Sequence, residues 1–107
     1  MLSEHEGCEV LTRVFEAHGY QLQAHHPLSL PSGARVSLDG YDPQQKVGFE
    51  YITNEAGDRQ ELTPEVIEEL EDGIEAGHFM LLLVDELDIS DAAELEQLAR
   101  RFLERRR

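Results

Sequence analysis

A chain of 107 residues, 40% apolar and 30% charged, has room for one hydrophobic core and a handful of elements, so it reads as a single domain over 1–107. Its formal net charge is −14. Residues 1–99 hold four basic against 22 acidic side chains, a net of −18, and such a body repels a phosphate backbone over a Debye length of roughly 8 Å.

Ser3 and Glu6 form the S-x-x-E pattern of a capping box, which opens a first helix. Val10, Leu11, Val14 and Phe15 give that helix one apolar face, and Gly19 ends it. Tyr20, Leu22 and Ala24 alternate weakly, and the nearby Pro27 and Pro31 predict an edge strand running into a loop. Two alternating runs, roughly 34–41 and 46–53, flank a turn-like stretch and predict a hairpin. The polar loop Asn54–Glu61 precedes a second helix, with Thr63 as cap, Pro64 in its first turn and Leu62 stapled to Ile67. Val66, Ile67, Leu70 and Ile74 are its buried stripe, and Gly77 its stop. Phe79–Val84 is too short and uniformly apolar for a helix; it predicts a strand covered on both faces, the most buried of the sheet. Ser90 is positioned to cap a last helix with Leu95, Leu98, Phe102 and Leu103 inward, ending in a basic tail over 100–107. The order is α-β-β-β-α-β-α. It predicts an α/β fold with a mixed sheet of about four strands flanked by helices, the last two strands parallel.

The hairpin carries one acid in each strand, Asp39 and Glu50. A four-residue loop over Asp42–Gln45 pairs Tyr41 with Lys46, Leu38 with Phe49 and Val36 with Tyr51. The other face then presents Ser37, Asp39, Gly48, Glu50 and Ile52. Asp39 lies opposite Gly48, with Glu50 its diagonal neighbour at roughly 7 Å. Two carboxylates so placed can share a hard cation.

This element order, with Asp on the second strand and Glu on the third, resembles the PD-(D/E)xK nuclease superfamily and its restriction-endonuclease-like core. The resemblance implies that Asp39 and Glu50 bind magnesium or manganese. It also implies an acid from the first helix, Glu6 or Glu9, with Glu9 carried as the third candidate ligand. The lysine that assists the attacking water in that family is replaced: the triplet reads Glu50-Tyr51-Ile52. No proline precedes Asp39, where Leu38 stands. Lys46 lies at the turn, four residues from Glu50.

Without that amine, and with so acidic a surface, the expected function is an acidic binding or regulatory protein on a nuclease-like core. Its partner is a basic protein surface, met by Glu68, Glu69, Glu71 and Asp72 on the second helix. Nucleic acid is disfavoured without a metal. The alternative is a magnesium-dependent nuclease with Asp39 and Glu50 as its catalytic candidates. The lone Cys8 forms no internal disulfide, no run is long enough to span a bilayer, and the acidic N-terminus lacks a signal-like apolar stretch; the expected location is cytoplasmic. His25-His26 reads as a solvated loop before a metal pair. Asp85, Glu86, Asp88 and Asp91 read as an acidic loop, because their spacing matches no calcium loop.

Overall fold

The hydroxyl of Ser3 accepts from the Glu6 N–H, and the Glu6 carboxylate accepts from the Ser3 N–H, each at 3.1 Å. This capping box opens α1 (Glu4–Ala17), whose buried face is Gly7, Val10, Leu11, Val14 and Phe15. The computed structural model describes residues 2–105, except the side chain of Arg59. After α1 come β1 (Gln23–Ser29), β2 (Arg35–Asp42), β3 (Val47–Ile52), a single-turn α2 (Asp58–Glu61), α3 (Pro64–Glu75), β4 (Met80–Asp85), a 3-10 turn (Glu86–Asp88) and α4 (Ala92–Arg105). The predicted order holds, with α2 added inside the polar loop. Thr63 caps α3 by accepting from the Val66 N–H. Asp91, rather than Ser90, caps α4, accepting from the Glu94 N–H at 2.8 Å. Of the expected basic tail, Arg100, Arg101 and Arg105 belong to α4, while Arg106 and Arg107 lie outside the described residues.

The four strands form one sheet in the order β1-β2-β3-β4. The first three meander antiparallel, and β4 returns through α3 to lie parallel to β3. Two apolar layers sandwich the sheet. On one side Val47, Phe49, Tyr51, Leu82 and Val84 meet α1 and α4. On the other Val36, Leu38, Tyr41, Ile52 and Leu81 meet α3 through Leu70. The radius of gyration, 12.9 Å, is that of one compact body of about 100 residues.

Two expectations about the sheet are also corrected. The most buried strand is β3, every residue of which is buried; β4 sits at the edge with Met80, Leu83 and Asp85 half-buried. An apolar run reports that helices cover both faces of a strand, and says nothing of its lateral neighbours.

The hairpin register is the second. The pairs are Asp42 with Val47, Tyr41 with Gly48 and Gly40 with Phe49, so the four-residue loop is 43–46. Asp42 draws the turn one residue along, because its Oδ1 accepts from the N–H groups of Gln44 and Gln45, each at 3.0 Å. Lys46 closes the turn with φ +60°. Leu38 therefore does not share a face with Phe49. It packs with Tyr41, three residues on, in the α3 layer, so β2 must kink at Asp39–Gly40, since a regular strand turns those two side chains to opposite faces. In β1 the paired ladder skips His25, whose φ is +53°.

Candidate functional site

At the kink the β2–β3 ladder gives way to side chains. The Asp39 N–H donates to Glu50 Oε1 at 3.0 Å, and Asp39 Oδ2 accepts from the Tyr51 N–H at 2.8 Å. Two residues earlier in β2, the Ser37 N–H donates to Glu61 Oε1 of α2 at 2.7 Å. Main-chain donors that a regular sheet would give to carbonyls thus go to carboxylates. The two strands separate, and acids fill the gap.

Asp39 and Glu50, placed diagonally by the sequence, are in fact directly across from one another in the register continued from Gly40 and Phe49. Asp58 of α2 joins them: one carboxylate oxygen from each of Asp39, Glu50 and Asp58 lies within 4.8 Å of the others. Glu4, Cys8 and Asp39 form a second such group, so Asp39 is common to both. Glu4 accepts from the Thr53 hydroxyl at 3.0 Å, and the Thr53 N–H donates to Asp58 Oδ2 at 3.0 Å. Thr53 therefore ties α1 to α2 at the rim of the cluster.

Glu50 is 1% exposed, and no donor reaches its Oε2. A buried ionised carboxylate in that position is costly. Burial first, then a hydrogen bond from its protonated form to Asp39 and the charges of Asp39 and Asp58, push the Glu50 carboxyl far above its ordinary value. Burial, then the charge of Asp39, raises Glu4 to about 7 against the lowering hydrogen bond from Thr53. Burial, then the Asp39 and Glu4 charges, pushes the Cys8 thiol far up, so Cys8 is a neutral thiol, not a nucleophile. It points its Sγ at Glu4 Oε1, 3.8 Å away.

Above the cluster an open groove of about 750 Å³ runs between α1 and β1, lined by Glu4, Cys8, Glu9, Arg13, His25 and Asp39 among others. Asp39 and Glu4 face it; Glu50 and Asp58 lie buried. Glu6 and Glu9, the first-helix acids matched by position, are not in the cluster. Glu6 serves the capping box, and the exposed Glu9 lies 3.4 Å from His5. Glu4 takes the place. The signal was present in the sequence: stepping back from Leu11 by three and seven residues gives Cys8 and Glu4 on the same inward stripe. Asp58 had no such signal, because its place depends on a helical turn inside a polar loop.

The remaining candidates have structural roles. His25 and His26 lie in β1 rather than in a loop; His25 is exposed on the groove, while the His26 ring lies tilted against Tyr41 with ring centroids 5.0 Å apart, so the two do not converge. Asp85 accepts from the Leu87 N–H, and Glu86, buried, accepts from the Asn54 N–H. On α3, Glu68, Glu71 and Asp72 are exposed. Glu69 is committed to the β1–β2 loop, accepting from the Ser32 N–H at 2.8 Å and its hydroxyl at 2.6 Å. Ile52 is buried in the α3 layer. Lys46, the chain's only lysine, is exposed and lines a different groove with Tyr41, His78 and Phe79.

Comparison with family models, with curated proteins and with solved structures finds no match for this chain. Fold and site by themselves define a small α/β domain with a mixed four-stranded sheet and a carboxylate cluster where β2 and β3 part. Among the described residues no helix is long and apolar enough to cross a membrane.

Proposed function

We propose that the chain is a non-catalytic binding domain on a core resembling the PD-(D/E)xK nucleases, one that holds a divalent cation and engages a basic protein surface. The observation that carries this reading is Glu50: fully buried, facing Asp39, with one oxygen that has no donor. An all-oxygen donor set of Asp39, Glu50 and Asp58 suits magnesium or manganese better than a soft metal. A bound cation would neutralise the repulsion and, in an enzyme, would polarise a phosphate or activate water. The chain offers no lysine to assist that water: Ile52 is core, and Lys46 faces elsewhere. The exposed acids Glu68, Glu71 and Asp72 of α3 support the basic partner. The lone thiol, neutral and half-buried, supports a reducing, cytoplasmic setting.

A second reading, a magnesium-dependent nuclease, draws on Asp39 of β2, which is shared by a group with Glu4 of α1 and a group with Glu50 of β3 and lines the groove together with Glu4. The two separate on cleavage. Supercoiled plasmid, single-stranded DNA and RNA are incubated with the protein and magnesium or manganese, beside Asp39→Asn. The binding reading expects intact substrates; nicking that disappears in the variant makes the enzyme reading correct.

A further inference from the structure

Among the described residues, the outer edge of β4 has no partner strand. The Met80 N–H donates to the Lys46 carbonyl of the β3 side at 2.8 Å. In a parallel pair the main chain of alternate residues points the same way, so Met80, Leu82 and Val84 turn theirs toward β3. Leu81 and Leu83 turn theirs outward, away from β3. Natural sheets guard such an edge with lysine, proline, a bulge or a covering element. Met80–Asp85 carries none of the first three.

Beside the edge lies a groove of about 440 Å³ between β4 and α4, floored by Met80, Leu82, Leu98 and Phe102 and flanked by Arg101 and Arg105. It continues past Leu83 into a second concavity where Asp85, Asp88 and Glu94 stand. The charges are therefore unevenly placed along the edge: Arg105 at the Met80 end, Asp85, Asp88 and Glu94 at the Asp85 end, and Arg101 between them lining both concavities. A foreign acidic strand would satisfy the arginines and leave the acidic end opposed. A second copy satisfies both, because a two-fold axis normal to the sheet sets each Met80 end against the other's Asp85 end.

We propose that β4 pairs antiparallel with β4 of a second copy, joining two four-stranded sheets into one of eight strands. Leu81 and Leu83 exchange main-chain hydrogen bonds across the axis. The two α4 helices lie side by side on one face and bury Leu98 and Phe102. Arg101 and Arg105 meet the partner's Asp88 and the partner's Glu94. The acids of α3 lie on the opposite face of the sheet and are screened from the contact at physiological salt.

Sedimentation equilibrium of the full chain tests this. Wild type is expected to be a dimer at micromolar concentration. Arg101→Glu with Arg105→Glu should weaken dimerisation at least about tenfold, and adding Asp88→Arg with Glu94→Arg should restore it by reversing every pair. Leu83→Pro, which removes an outward N–H, should give a folded monomer; should it fail to fold, the charge reversal and its rescue decide alone. A monomeric wild type at about 100 times that concentration overturns the proposal, as does a dimer indifferent to the reversal. A monomer that instead binds an extended acidic peptide along β4 assigns the edge to a foreign segment and also overturns it.

Discussion

Asp39 and Glu50 hold each other's strands: the Asp39 N–H donates to the Glu50 carboxylate, and the Asp39 carboxylate accepts from the Tyr51 N–H next to Glu50. Each acid thus does the work of a main-chain carbonyl in the other's strand. The exchange, with a proton held on Glu50, explains how two carboxyl groups are tolerated side by side in a closed space. It also explains why the β2–β3 pairing that starts at Asp42 and Val47 stops after Gly40 and Phe49.

The raised carboxyls make stability depend on pH in a definite direction. Glu4 and Glu50 keep protons in the folded chain that the unfolded chain gives up near the ordinary value, 4.5. The folded state then binds more protons, so stability is greatest below that value and falls as pH rises. For Glu4 the loss runs up to about 7; for Glu50 it continues beyond. Melting without divalent cations should show a lower Tm at about pH 8 than at about pH 5. A Tm that climbs across that window would contradict the assignment.

Glu50→Gln separates the two acids. Its amide oxygen can still accept from the Asp39 N–H, and its NH₂ can donate to the Asp39 carboxylate without any proton being held. At about pH 8 the variant should be more stable than wild type by about 1 kcal/mol, with a flatter pH profile. A variant less stable than wild type at that pH would show that Glu50 is ionised and satisfied in the native chain.

How much of this could be read from residues alone varies along the chain. Ser3, Thr63 and Gly19 announce α1 and α3 because capping is local chemistry. The pairing of β3 with β4 follows from the element order. The Asp39–Glu50 register does not, because Asp42 folds its side chain back over the turn, and no periodicity encodes that. The kink at Gly40 is a tertiary event too. A Cβ there would collide with the ring of Phe49, so glycine is needed, but the sequence shows only a glycine in a strand.

The seat of α1 gives a sharp stability test. A Cβ on Gly7 would overlap the ring of Tyr51, which is fully buried and donates its hydroxyl to the Leu2 carbonyl at 2.9 Å. Alanine favours a helix over glycine by about 1 kcal/mol, yet the ring has nowhere to go. Gly7→Ala should therefore destabilise by about 1–3 kcal/mol. A stabilised variant in chemical denaturation would mean that α1 can lift from the sheet at little cost.

Phe49 probes the centre of the sheet. It is fully buried, with its ring centroid 5.3 Å from that of Phe15, and β3 has strands on both sides. Phe49→Ala should cost about 3–5 kcal/mol. Leu82→Asp on β4 should cost more than about 3 kcal/mol, because it buries an unpaired charge under α4. A near-wild-type midpoint for either would remove that residue from the core.

For the basic partner, reversal of Glu68, Glu71 and Asp72 to lysine should weaken binding several-fold, with the change mostly in the association rate and its salt dependence. Glu69→Lys serves as a contrast, since it frees the Ser32 loop as well as reversing a charge. Surface-immobilised basic protein measures both. Equal association rates for wild type and the triple variant would take α3 out of the contact.

The central claim is that the acids at the β2–β3 parting hold a cation, and calorimetric titration with manganese at about pH 7.5, in two buffers of different ionisation enthalpy, tests it most directly. The account predicts one saturable site at millimolar concentration or below, with release of the proton held by Glu50, and no such site in Asp39→Asn. A wild-type isotherm without saturation, or the same isotherm in the variant, would contradict it.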